Sequence, residues 1–238
     1  MDFSRHITNT IEWFYFEDVT SGRERDASVL VLGDKETTAP FVTLLEPRVH
    51  QVSRRLDDST YDYVVIPVLT KKILRLFQGD VHTMLHALTE TWLKKGGRIL
   101  MGIENALDID RMASGDRKED VLYLRWTELA SLRAGLREEQ PGARETLYYL
   151  TPELSVPLHF YSDARMPDVS EEDEKTALLI RENRFREFAP AYFYIYQPDG
   201  SVRPKARDYR RFLPDYIKYN STRKPAYAIK TLLYRDDQ

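Results

Sequence analysis

Three continuous apolar runs constrain this chain more than any other feature: Val29–Leu32, Tyr63–Leu69 and Ile99–Ile103. A strand with one wet face alternates apolar and polar residues, whereas an unbroken short run marks a strand covered on both faces, as in a parallel sheet. Between the second and third runs, Val81, Met84, Leu85, Leu88 and Trp92 recur at helical spacing. The reading that follows makes Val81–Leu93 an amphipathic helix. Lys94 and Lys95 complement its C-terminal dipole and Gly96-Gly97 supplies its stop. Between the first two runs, Thr37–Leu45 has room for a brief helix and Val49–Val52 for a shorter strand, while Arg54–Thr60 is polar. Pro67 lacks an amide proton and belongs at a strand's end. The first run ends at Gly33, and strands alternating with helices predict a parallel sheet with crossover helices.

After Asn105 the character changes. Asp108–Asp120 is polar and reads as a loop, and Trp126–Leu136 reads as a helix. Thr146–Leu150, Leu158–Tyr161 and Ala191–Tyr196 are aromatic-rich strand candidates. Many of the 15 Tyr and 10 Phe fall in this C-terminal half, where aromatic side chains suit half-buried strands and ligand walls alike. Met166–Glu174 reads as an acidic surface loop, Ile7–Phe16 as an N-terminal helix, and Asp215–Tyr219 with Ala226–Tyr234 as a hairpin.

The absence of cysteine excludes disulfides, thiolate metal sites and a cysteine nucleophile. A net charge of −3 supplies no global attraction to nucleic acid or acidic membranes. No stretch of apolar residues is long enough to span a bilayer, and Met1–Phe16 lacks a signal-peptide pattern, so a cytoplasmic protein is expected.

The segment Leu93–Asn105 (LKKGGRILMGIEN) resembles the post-helix turn and fifth strand of class I S-adenosylmethionine methyltransferases. Its ending Ile103-Glu104-Asn105 is similar to that of a bacterial subgroup found in gene neighbourhoods for surface glycans. Asn9–Trp13, Tyr148–Pro157 with Tyr161–Asp163 and Pro167, and Lys218–Ser221 followed by Arg223–Thr231 resemble further segments of that subgroup in the same order. The resemblance implies an α/β, Rossmann-like methyltransferase fold: a mainly parallel sheet flanked by helices, with an aromatic-rich β extension at the C-terminus. It implies one domain over residues 1–238, with a cofactor-binding half (1–105) and an acceptor-side half (106–238).

In that family the donor lies at the C-terminal ends of the strands, where the first loop carries an acidic residue and three glycines and the second strand ends in a carboxylate. Here the first loop reads Val31-Leu32-Gly33-Asp34-Lys35-Glu36-Thr37, keeping one glycine and placing Val31 at the acidic position. The second strand ends at Ser53. Arg54–Tyr61 is too short for the helix and third strand that cover the adenine, and Pro67-Val68-Leu69-Thr70 departs from the family's fourth-strand exit. The resemblance thus implies Gly33, Asp34, Ser53 and Val68 as donor-side positions of a degraded site: S-adenosylmethionine if the protein is active, and no cofactor otherwise. Two readings stand at this point. One is a non-catalytic or partner-dependent component of bacterial glycan or secondary-metabolite assembly. The other is an active methyltransferase with a rearranged donor loop. Glu104 is the candidate base, weighed against a structural carboxylate, with Asn105, Tyr149 and Asp163 on the side of a small-molecule or glycan acceptor.

His82 and His86 share a helix face without a third ligand, so no metal site is expected. Arg203–Lys224 holds eight basic residues against two acidic ones, with interleaved aromatics, the pattern of an anion or single-stranded nucleic-acid surface. The acidic stretch Asp168–Glu174 offsets it, so a solvated face outweighs a nucleic-acid role.

Overall fold

A computed structural model describes residues 26–200, apart from 47–48, 116, 152–153, 155–158, 164–165 and 167–173. The expected N-terminal helix, the C-terminal hairpin, the basic stretch Arg203–Lys224 and most of the acidic loop lie outside the described residues.

The first apolar run forms β1 (Ser28–Val31), which passes directly into α1 (Lys35–Leu45). Asp34 makes that transition: its carboxylate accepts from Thr37 N at 2.8 Å, satisfying an amide that the first helical turn leaves free. The chain returns as the short β2 (Gln51–Ser53) and then β3 (Tyr61–Ile66), which stops one residue before Pro67. Helices α2 (Lys71–Leu76) and α3 (Val81–Ala87) are capped by Thr70 and Asp80. A π-helical turn, Leu88–Trp92, follows, then the central strand β4 (Leu93–Asn105). Next come α4 (Ile109–Ser114), β5 (Tyr123–Leu124), α5 (Trp126–Glu139), β6 (Arg144–Thr151) and β7 (His159–Ser162). The described chain closes with α6 (Glu174–Arg181), α7 (Phe185–Phe188) and β8 (Ala191–Gln197).

All the described strands join one sheet of order β2-β1-β3-β4-β8-β6-β7, with β5 beside the end of β4. From β2 to β4 every pairing is parallel, and β4–β8, β8–β6 and β6–β7 are antiparallel. The fold is therefore α/β, a mixed sheet flanked by helices, whose antiparallel part holds the expected aromatic strands. The unbroken apolar runs serve both faces. Leu30, Val64, Ile66, Ile99 and Met101 pack with α2, α3 and α5, whereas Val29, Val31, Val65 and Leu100 join Phe41, Val42 and Leu45 of α1 in a second cluster.

Two local expectations need correction. Lys94–Gly97 is not a helix stop: the helical segment ends at Trp92, and these residues form an irregularity inside β4, where pairing jumps from Tyr61↔Leu93 to Tyr63↔Arg98. Lys94 there meets the Asp62 carboxylate at 2.8 Å instead of a helix terminus. A Cβ on Gly97 would come within 2.9 Å of the Asp62 carbonyl oxygen, which is why glycine stands at that place. Asp108–Asp120 is not all loop, because Asp108 caps α4. Finally, α6 and α7 occupy a stretch for which the sequence pattern gives no helix.

Candidate functional site

The strand order fixes where a ligand belongs. From β1 the chain moves to β2 on one side and then crosses to β3 on the other, so the sheet reverses direction at β1. A crevice opens outside the carboxyl ends of the strands at such a switch point. A cleft of about 430 Å³ lies there. Leu32, Gly33 and Asp34 line it from the end of β1, and Arg54, Arg55 and Leu56 from the end of β2. Thr70, Lys72, Ile73 and Leu76 come from the β3 exit, with Asp120 beside them.

Each wall has a local cause. A Cβ at Gly33 would approach Thr37 Oγ1 and Thr38 Cγ2 to 2.9 Å, so the turn out of β1 accepts no larger residue without movement. Ser53 folds back on the chain: its hydroxyl donates to the Arg55 carbonyl oxygen at 2.9 Å and accepts from Arg55 N at 3.3 Å. That turn sends Arg54 and Arg55 to the cleft. The connection from β2 to β3 contains no helix and no extra strand. It is pinned at Asp57, whose carboxylate accepts from Tyr61 Oη at 2.7 Å and whose carbonyl accepts from Trp92 Nε1 at 2.7 Å. Hydrogen bonds from Tyr61 and Ser59 hold the Asp57 carboxyl below its ordinary range. On the β3 side Thr70 Oγ1 accepts from Ile73 N, and Asp120 O accepts from Lys71 N, drawing the loop before β5 to the cleft.

Of the donor-side positions read from the sequence, Gly33 and Asp34 line the cleft. Ser53 adjoins it, its hydroxyl engaged with Arg55, and Val68 packs against the cluster around α1. Glu104 stands at the end of β4, with Arg111 Nη2 at 2.8 Å from its carboxylate and Asp108 on the same guanidinium at 3.7 Å. Burial pushes the Glu104 carboxyl above its usual value, with the Arg111 charge pulling the other way. Asn105 is buried and donates to the carbonyls of Glu187 and Ala189 at 2.8 and 2.7 Å. Tyr149 and Asp163 do come together: the phenol donates to the carboxylate at 2.6 Å, and Arg186 Nε approaches the same carboxylate at 2.9 Å. Burial, then the Asp163 partner, raises the Tyr149 phenol strongly. Neither pair is among the residues of the cleft.

His82 lies 3.0 Å from Glu139 of α5 and His86 3.2 Å from Glu90, so each histidine faces a glutamate. Arg54, Arg55 and Lys72 carry the cleft's cationic charge, and sequence pattern alone does not find them. Arg54 and Arg55 stand on the loop after β2 and Lys72 in the first turn of α2, and only the strand order brings them together.

The cleft can be compared with what a methyl donor would need. The close turn at Gly33 suits a ligand passing near the backbone. Asp34 spends its carboxylate on Thr37 N, and no carboxylate of the described residues ends β2 to take ribose hydroxyls. Two guanidinium groups stand on that wall instead, opposite in their effect on a cationic sulfonium.

No protein-family model matches the sequence, and no curated protein sequence matches it. Solved structures with a related chain path do. The plantazolicin methyltransferase BpumL, in complex with SAH, shares 12% identity over 82% of this chain and 84% of its own, with a TM-score of 0.48. A SAM-dependent methyltransferase from Archaeoglobus fulgidus shares 14% over 82% and 94%, at a TM-score of 0.46. A complex of a Haloferax volcanii methyltransferase activator with a methyltransferase matches at 11% identity over 83% and 97%, with a TM-score of 0.40. Strand order, the reversal at β1 and the cleft outside its end together make this chain a Rossmann-like α/β protein.

Proposed function

We propose that the protein is a methyltransferase-like domain with a degraded donor site, acting as a non-catalytic or partner-dependent component of glycan or secondary-metabolite assembly. One observation carries the first part. At the end of β2, where this class of fold offers a carboxylate to a ribose, the Ser53 hydroxyl is tied to Arg55 and the cleft wall is Arg54 and Arg55. The assembly role rests on the resemblance of Ile103–Asn105 and Tyr148–Pro157 to the bacterial glycan-associated subgroup. The partner reading agrees with a pocket in which no carboxylate among the described residues stands at the end of β2. Calorimetric titration with S-adenosylmethionine and S-adenosylhomocysteine is the test. No heat of binding at millimolar ligand is expected from the chain alone, and one-site micromolar binding of either sinks the proposal.

An active S-adenosylmethionine-dependent enzyme with a rearranged donor loop is the second reading, favoured by the open cleft beside Gly33. It requires that micromolar binding, together with methyl transfer to an acceptor.

A further inference from the structure

We propose that the switch-point cleft binds a phosphorylated nucleoside, its phosphate on Arg54 and Arg55 and its apolar part against Leu32, Ile73 and Leu76. The proposal rests on the reading of this cleft as a ligand site that no longer takes a methyl donor.

The charge in the cleft is unevenly distributed. Because β1 lies between β2 and β3, their two exits form opposite walls. On the β3 wall Lys72 and Asp120 both line the cleft, one cation and one carboxylate. At the end of β1 the Asp34 carboxylate is already bonded to a helix amide. The β2 wall holds two like charges and no carboxylate: Arg54 and Arg55 are both exposed, and neither guanidinium has an ion pair among the described residues.

Guanidinium groups are weakly hydrated, planar and forked, and bind phosphate oxygens in bidentate fashion. An arginine in place of the carboxylate at the end of the second strand is how a nucleotide-binding sheet accommodates a phosphate on the ribose. The rest of the cleft suits the remainder of such a molecule. Leu32 and Ile73 are 3% exposed and form an apolar floor, and Leu76, 58% exposed, leaves an apolar side chain at the rim. About 430 Å³ falls within the roughly 300–1,000 Å³ range of small-molecule pockets. A phosphate at this wall is attracted where a sulfonium is repelled, so the feature that disfavours the methyl donor favours the nucleotide.

The test titrates the full-length protein with 2′-, 3′- and 5′-AMP, with adenosine and with inorganic phosphate, by calorimetry and by the shift in Tm. At least one AMP isomer is expected to bind about tenfold or more tightly than both adenosine and phosphate, with affinity falling as salt rises. The double variant R54A/R55A is expected to lose that advantage while keeping its Tm in buffer. Binding of no isomer overturns the proposal, as does adenosine or phosphate binding as tightly as AMP, or AMP affinity that the double variant leaves unchanged. Should the double variant lower Tm, the wild-type comparison of AMP with adenosine decides alone. Failure of all three nucleotides leaves the degraded-donor reading intact, whereas binding of S-adenosylhomocysteine overturns that reading instead.

Discussion

At Gly102, in the middle of β4, two backbones meet: an added Cβ would overlap the Pro67 carbonyl oxygen and touch Leu154 at 3.1 Å. Backbone cannot yield as a flexible side chain can, so Gly102→Ala should destabilise the protein by about 1–3 kcal/mol, read from denaturant unfolding. A second residue-scale case is Glu145, whose side chain is 9% exposed. It faces Arg133 Nη2 at 3.1 Å, Arg137, and the Tyr194 phenol, which donates to it at 2.7 Å. Its loss leaves the buried Arg133 guanidinium with only the Asp163 carboxylate at 3.9 Å, so Glu145→Ala should cost about 3 kcal/mol in the same measurement. Asp62 titrates with consequence. Burial works against its charge, yet hydrogen bonds from Lys94 and Ser28 hold its carboxyl below the usual value. The folded state is then less protonated than the unfolded one. Its contribution is present above the unfolded pKa, near 3.8, and is lost as pH falls through the lower folded value. Lys94→Met should shrink the loss of stability on acidification below about pH 4, measured as Tm against pH.

At the scale of elements, α1 shows what one cap does. Asp34→Ala removes the acceptor for Thr37 N and should cost about 1 kcal/mol of stability by chemical denaturation. Elements like β1, β3, α1 and α5 were legible in the sequence because burial dictates their composition: Val29–Leu32 has no polar residue to place on a wet face. Less legible were α6 and α4. In Glu174–Arg181 the apolar residues Ala177–Ile180 form one short run, and only Ala177 is fully buried, so no repeat at helical spacing announces a helix. At Lys94–Gly97 the composition of a helix stop coincides with that of a strand irregularity, and only pairing with β3 distinguishes them. The site divides along the same line. Gly33 and the missing carboxylate at Ser53 were readable, being local departures from a pattern. Arg54 and Arg55 follow β2 whereas Lys72 stands in the first turn of α2, and no spacing along the chain joins the two.

For the molecule as a whole, β4 ties the two halves together. It pairs with β3 through Arg98–Met101 and with β8 through Ile99–Glu104, and its alternate residues enter both apolar clusters. Trp126 of α5 packs against Tyr149 and Tyr192 at 5.8 and 6.2 Å, while Trp92 lies 6.0 Å from Phe77 on the other side of the molecule. Unfolding followed by tryptophan fluorescence and by far-UV circular dichroism should therefore give coincident midpoints. Distinct midpoints would show that the halves melt independently. The outline of the sheet has a further effect. Among the described residues it narrows from the 13-residue β4 to a three-residue strand, β2, at one border and a four-residue strand, β7, at the other. A border that short offers an incoming chain few free amides and carbonyls to copy. Among the described residues, the tapered outline thus leaves a wide and apolar sheet little edge from which to grow from molecule to molecule into a fibre.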